Sequence, residues 1–215
     1  VLDVLEELDL AENTIVIFAS DQGYNMGHNG IWHKGNGWWT TKDGKDPAGI
    51  YTRMIERRGI TERENLYDTS LRVPGIVRWP AQIRPGTEIN EPVSCIDWFP
   101  TLLEMTGIQM PADQELQGRS ILSLFENPES SLPEIPHFAQ HHRLRCIRTQ
   151  QWKYVLSCID EEPDELYDLK MDPQERVNLI TRVGEPKLKK VYSNMRKQLT
   201  QHMKQINDPL LKEIS

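Results

Sequence analysis

The sequence predicts an α/β fold in which an α/β core is followed by a small antiparallel sheet and a terminal helix. Three observations carry this. Thr14-Ile15-Val16-Ile17-Phe18-Ala19 is a short, nearly continuous β-branched and apolar run after a helical pattern, the mark of a strand buried on both faces in a doubly wound sheet. Residues 137–168 change to short β-like pieces, as in a small antiparallel sheet. Leu188, Val191, Tyr192, Met195, Leu199, Met203 and Ile206 then keep helical spacing in a Lys-rich background. The expected division is 1–136 for the core and 137–215 for the sheet and terminal helix.

The elements follow in order. Val1, Leu2, Val4, Leu5 and Leu8 share one helical face, so the chain is expected to begin inside a helix of something longer. Residues 35–65 read as an irregular insertion, carrying Gly37, Trp38, Trp39, Gly44, Pro47 and Gly49, then the charged run Glu56-Arg57-Arg58. The run Val73–Pro80 is a second buried strand, with Pro74 and Pro80 at margins where a strand tolerates them. Cys95–Gly107 is a helix with Asp97 as N-cap, Pro100 in the first turn and Gly107 just past the end. A loop-rich stretch spans 110–136. Strand pieces are then expected at Arg143–Thr149, Trp152–Ser157 and Glu165–Leu169.

Of the 215 residues, 38% are hydrophobic and 27% charged, as in an ordinary globular protein. A net charge of −7 argues against nucleic acid as a partner. No apolar run reaches the roughly 20 residues of a membrane span. Cys95, Cys146 and Cys158 form no disulfide framework and no C-x-x-C metal spacing. Cys146 and Cys158 flank an expected hairpin and either pair or remain two buried thiols.

The chemistry concentrates after the first strand, in 20-SDQGYNMGHNGIWHKGNG-37. Asp21 and Gln22 place a carboxylate and an amide at a strand's carboxyl end, two hard oxygen donors suited to Ca²⁺ or Mg²⁺. The alternative is an Asx turn at Asp21 with Gly23 at positive φ. Lys34, thirteen residues on, points to an anion held between cation and ammonium, or to a solvated surface lysine. His28 and His33 could line the same pocket, and no third ligand stands at zinc spacing. Trp38 and Trp39 read as a platform for a sugar ring or as a plug for the insertion.

Five segments run in the order found in one family: 14-TIVIFASDQGYNMGHNGIWHKG-35, 67-YDTSLRVPGIVRWP-80, 97-DWFPTLLEMTGI-108, 117-QGRSIL-122, and 148-RTQQWKYV-155 with 165-ELYDLKMDPQERVNL-179. Together they resemble the formylglycine-dependent sulfatases of the alkaline-phosphatase superfamily. The resemblance implies the C-terminal part of an alkaline-phosphatase-like sandwich. It implies that Asp21 and Gln22 are one pair of Ca²⁺ ligands, Gln standing where Asn or His is commoner, and that Lys34 contacts sulfate. Arg63, four residues before Tyr67, is a rival for that contact because a long insertion separates Lys34 from Tyr67. His28 and His33 are candidates for substrate contact.

The family's nucleophile arises from a Cys/Ser-x-Pro-x-Arg motif, which no Cys or Ser of this sequence begins. The resemblance therefore implies that formylglycine and the remaining Ca²⁺ ligands lie upstream, in a missing N-terminal half that would be this chain's partner. It also implies hydrolysis of sulfate monoesters, with a sulfated small molecule or glycan as substrate and carbohydrate sulfates favoured. The isolated chain is then expected to be inactive and to expose the core face of a split sheet. The alternatives are a phosphatase or phosphodiesterase of the same superfamily, or a non-catalytic half-domain for binding or assembly.

Overall fold

The computed structural model describes residues 1–39, 62–109 and 116–214. Within them the chain forms two compact units, one of residues 1–19 and 74–134, the other of residues 20–73 and 135–215.

The first unit opens with helix α1 (Leu2–Glu7) and strand β1 (Val16–Ala19). β1 pairs with β6 (Gly75–Arg78), Val16 opposite Arg78 and Ala19 opposite Gly75. Two corrections apply to the sequence reading. The pairing is antiparallel, and the strand is not buried on both faces: Phe18 and Ile76 are 62% and 60% exposed. A β-branched run reports affinity for a covered sheet, and a two-stranded ribbon covers little of it.

Helix α3 (Trp98–Met105) packs Met105 against Ile121, Leu124 and Phe125, with Ile15, Val77 and Trp98 around them. Asp97 stands at its N-cap position, as expected, but makes no side-chain cap bond to it. A 3₁₀ turn at Cys95–Asp97 precedes it, and the capping box is Ser94 with Asp97, Ser94 N–H donating to Asp97 Oδ2 at 2.8 Å. Asp97 also accepts from Arg119 N–H (3.0 Å), and Thr101 Oγ1 accepts from Ile121 N–H (3.0 Å). These bonds fix the Gln117–Leu122 segment to the helix, and Ile96 leaves no room for a Cβ at Gly118. Gly107 closes the helix at φ +67°, as expected. The stretch read as loop holds a short helix, α4 (Leu122–Glu126), with Leu124 and Phe125 buried.

In the second unit, β2 (Asn25–Met26), β3 (Ile31–His33), β4 (Asn36–Trp39) and β5 (Glu62–Glu64) form an antiparallel sheet in that order. The insertion is therefore regular at both margins, where Asn36 pairs with Glu64 and Trp38 with Glu62. Gly44, Pro47, Gly49 and the run Glu56-Arg57-Arg58 lie outside the described residues, as do the side chains of Trp38, Trp39 and Arg63. A short helix, α2 (Asp68–Leu71), follows β5.

The C-terminal sheet is an antiparallel meander of β7 (His137–His141), β8 (Leu144–Arg148), β9 (Trp152–Ser157) and β10 (Glu165–Asp168), as the sequence predicts apart from β7. Alternation gives it two covered faces. Ile147, Tyr154, Leu156 and Leu166 meet Met195, Leu199 and Met203 of α5 (Pro186–Gln205). On the other face Leu144, Cys146 and Val155 meet Leu66 and Leu71. Arg145 closes the helix side through Asp208, at 2.5 and 3.1 Å. All three cysteines are free, so the Cys146–Cys158 pairing does not occur. Burial pushes the Cys146 thiol up to about 12.

Candidate active site

The loop after β1 is held by polar groups of the segment Asn65–Arg72. Gly23 N–H donates to Ser70 carbonyl at 2.9 Å, and its Cα lies so close that a Cβ would overlap the Thr69, Ser70 and Arg72 backbone. Gly23 is thus needed for close approach. It is not among the positive-φ glycines, which corrects the turn reading. Beyond it Asn25 is fully buried; its Nδ2 donates to Ser70 Oγ (2.6 Å) and Asn65 Oδ1 (3.3 Å), and its Oδ1 accepts from Thr69 Oγ1. Ser70 Oγ donates in turn to Asn65 Oδ1 at 2.6 Å.

Asn65 then grips the far end of the same loop. Its Nδ2 donates to the Lys34 carbonyl at 2.9 Å, and its N–H to the Gly35 carbonyl at 2.8 Å. One buried turn therefore anchors the chain next to Asp21-Gln22 and again at Lys34. Each hydrogen bond contributes on the order of 1 kcal/mol net, but leaving one of these buried amides unpaired costs about 1–3 kcal/mol, so the network specifies the loop's course.

A layer of buried charge braces the turn. Arg148 donates from Nε and Nη2 to the Asp68 carboxylate at 2.9–3.2 Å, and Lys153, with no solvent exposure, reaches Asp68 Oδ1 (3.0 Å) and Glu175 Oε1 (2.6 Å). Glu175 Oε2 accepts from Asp68 N–H at 2.6 Å. Two cations and two anions leave the cluster neutral, which is how charges survive burial. Burial by itself pushes Asp68 up, but Lys153 and Arg148 outweigh it and hold the carboxyl at about 2. Burial pushes Glu175 up, and Lys153 offsets only part of that.

The sequence-derived candidates are placed as follows. Asp21 is exposed and Gln22 half-buried, in a bend where Ser20 Oγ donates to Gln22 carbonyl at 2.9 Å. Lys34 is half-buried, and its ammonium has no hydrogen-bond or ion-pair partner among the described residues. His33 takes φ +86°, a strained value for a non-glycine, with its ring 5.5 Å from that of Tyr24. His28 is exposed in a 3₁₀ turn. Arg63 sits in β5 opposite Gly37. His141 of β7 lies against Gly35, beside Lys34, and His142 pairs with Glu64. No group of three His, Cys, Asp or Glu able to hold a metal occurs among the described residues. Asp21 and Gln22 fit a hard cation as two oxygen donors of a larger set.

The sequence reading missed Asn25, Asn65 and Ser70, and the pairing of Asp68 with Arg148 and Lys153. One signal was available for the last: Lys153 falls in phase with Val155 on a strand whose opposite face is also apolar, so it needs a buried partner.

Comparison with known proteins agrees with this architecture. A family model described as "Sulfatase" matches residues 1–108, and one described as "N-sulphoglucosamine sulphohydrolase, C-terminal" matches residues 57–205. Human steryl-sulfatase is 28% identical over 94% of this chain and 37% of its own length. N-acetylglucosamine-6-O-sulfatase of Bacteroides thetaiotaomicron is 26% identical over 99% of this chain and 34% of its own length. The chain thus spans little more than a third of these relatives. Among solved structures, one in complex with its substrate D-glucosamine-2-N,6-O-disulfate superposes with a TM-score of 0.70 at 25% identity, over 97% of this chain and 37% of that one. Phosphonate monoester hydrolase of Agrobacterium radiobacter shares the fold, at a TM-score of 0.65 and 21% identity over 94% of this chain and 37% of that one. With family models matching half of the chain and more, this chain belongs to the sulfatase family of the alkaline-phosphatase superfamily.

Proposed function

We propose that this chain forms part of a hydrolase of sulfate monoesters, with carbohydrate sulfates as the substrate class. The observation that carries the reading is the double anchorage of the 20–35 loop by Asn65 and Ser70, which fixes a pair of hard oxygen donors and an ammonium without a partner among the described residues on one frame. Asp21 and Gln22 hold Ca²⁺ with further ligands from outside this chain. When bound, that cation supplies charge stabilisation at the transferring sulfuryl group. Lys34 neutralises the sulfate oxygens, and no carboxylate among the described residues competes for its ammonium. His33 and His141 border the same loop and contribute to selecting the sugar. The nucleophile, a formylglycine in this reading, lies outside this chain, and the 215-residue chain alone turns over no sulfate ester.

The sugar assignment draws on relatives that act on N-acetylglucosamine 6-sulfate and bind a glucosamine disulfate. The test is a hydrolysis assay of the full-length protein on glucosamine 6-sulfate and glucosamine 6-phosphate, with and without a calcium chelator. The expected result is sulfate release, lost on chelation and weakened at least about tenfold by Asp21→Asn. Faster release of phosphate would overturn the reading in favour of phosphoryl transfer.

A further inference from the structure

We propose that the solvent face of α5 is a docking surface for sulfated polysaccharide, separate from the loop at 20–35. The helix carries Lys187, Lys189, Lys190, Arg196, Lys197 and Lys204, all exposed, and no acidic residue, in a chain of net charge −7. At about 100° per residue, Lys189, Lys190, Arg196, Lys197 and Lys204 fall within an arc of roughly 120°, and at 1.5 Å per residue they extend for about 22 Å along the axis. They form a stripe on one side of the helix, flanking the residues packed on the sheet.

Several cations of the same unit are neutralised: Arg143 by Glu213, Arg145 by Asp208, Arg148 and Lys153 by Asp68, Arg182 by Glu185. No cation of α5 meets a carboxylate among the described residues. Arg196 is held in place by a neutral group instead. It donates from Nη1 to Tyr192 Oη at 2.9 Å and lies 6.0 Å from the centre of that ring. This keeps the guanidinium fork on the surface with donors to spare and leaves less freedom to lose on binding. Arg196, Lys197 and Lys204 border a shallow depression of about 580 Å³ with Ser193 and Thr200.

A row of fixed positive charges of this length matches a linear polymer of repeating anions better than one small anion. A long nucleic-acid rod would overrun the stripe onto a net-acidic molecule, which repels it. The choice of sulfate as the repeating anion rests on the sulfate-ester reading above; the stripe does not. A site of this kind would keep a polymeric substrate near the enzyme between turnovers.

The experiment titrates the 215-residue chain with heparin, chemically desulfated heparin, double-stranded DNA and phosphatidylserine vesicles at low and high salt. Heparin is expected to bind, to weaken with salt, and to lose at least about tenfold in affinity in the variant Lys189→Gln/Arg196→Gln/Lys197→Gln/Lys204→Gln. Lys170→Gln/Lys212→Gln, which removes cations elsewhere, is expected to bind as the parent does. Equal binding by the quadruple variant overturns the proposal, as does DNA or vesicle binding as tight as that of heparin. If the quadruple variant loses its parent urea midpoint, Lys197→Glu and Lys204→Glu are read singly in its place. Turnover plays no part in this measurement. Heparin binding that persists alongside failed sulfate-ester hydrolysis would overturn the functional reading and leave the surface standing.

Discussion

The turn Asn65–Arg72 and the ribbon of β1 and β6 are near neighbours in sequence, yet they treat side chains in opposite ways. The turn buries Asn65, Asp68 and Ser70 and draws in Asn25 and a wholly buried Lys153, while the ribbon leaves Phe18 and Ile76 more than half exposed. Hydropathy alone orders these residues the other way. Burial here follows partners: each buried polar group of the turn has a hydrogen-bonded or charged neighbour from a distant segment, and the ribbon has a single antiparallel partner. The difference separates a segment whose polar groups are matched by partners from distant segments from a ribbon whose Phe18 and Ile76 stay exposed.

The comparison breaks most severely if the charged layer can be removed without consequence. Lys153→Met leaves Asp68 and Glu175 buried with too little positive charge, and the expected loss is about 3–5 kcal/mol in urea unfolding. A loss under about 1 kcal/mol would mean that the cluster does not brace the turn.

Acid probes the same layer more gently. The folded-state pKa of Asp68 is depressed from 3.8 to about 2, so its contribution is present above pH 4 and lost as pH falls through 2. The expected loss is on the order of 2 kcal/mol. Glu175, whose pKa is raised, acts in the opposite sense: it costs stability at neutral pH and gives it back on protonation. The acid loss is therefore confined to pH below 4, and Asp68→Asn should flatten it in urea midpoints measured from pH 5 to 2.

In the ribbon, Phe18→Ser is expected to shift the midpoint by no more than about 0.5 kcal/mol, because little apolar surface is lost from the core. A shift above 1 kcal/mol would show the ribbon to be covered. The smallest effect is chemical. Iodoacetamide should label exposed Cys95 first and leave Cys146 untouched until the chain unfolds, since that thiol is buried and pushed up to about 12. Mass spectrometry after timed quenching gives the order.

Much of the fold was legible because it rests on local pattern. The period of Leu188, Met195, Leu199 and Met203 gave α5, and short β-like runs gave β8, β9 and β10. Gly107 gave the end of α3. What local pattern could not show is contact between distant segments. Asn65 reads as a loop asparagine until Lys34 and Gly35 are brought against it, and Asp68 reads as a helix-start residue until Arg148 and Lys153 arrive from 80 and 85 residues away. The antiparallel sense of β1 with β6 is likewise a property of the pair. Of the candidate site, the donor types of Asp21, Gln22 and Lys34 on which the proposed chemistry rests stand in the sequence, and the frame that holds their loop does not.

We propose Lys34 over Arg63 as the residue that meets the sulfate, because Lys34 keeps its spacing from Asp21 and Gln22 on the loop that Asn65 anchors. The most direct test is steady-state hydrolysis of a sulfate monoester by the full-length protein and its Lys34→Ala and Arg63→Ala variants. The account predicts a fall in kcat/KM of about 10²-fold or more for Lys34→Ala, and less than about tenfold for Arg63→Ala. The reverse order would contradict it and move the anion contact to β5.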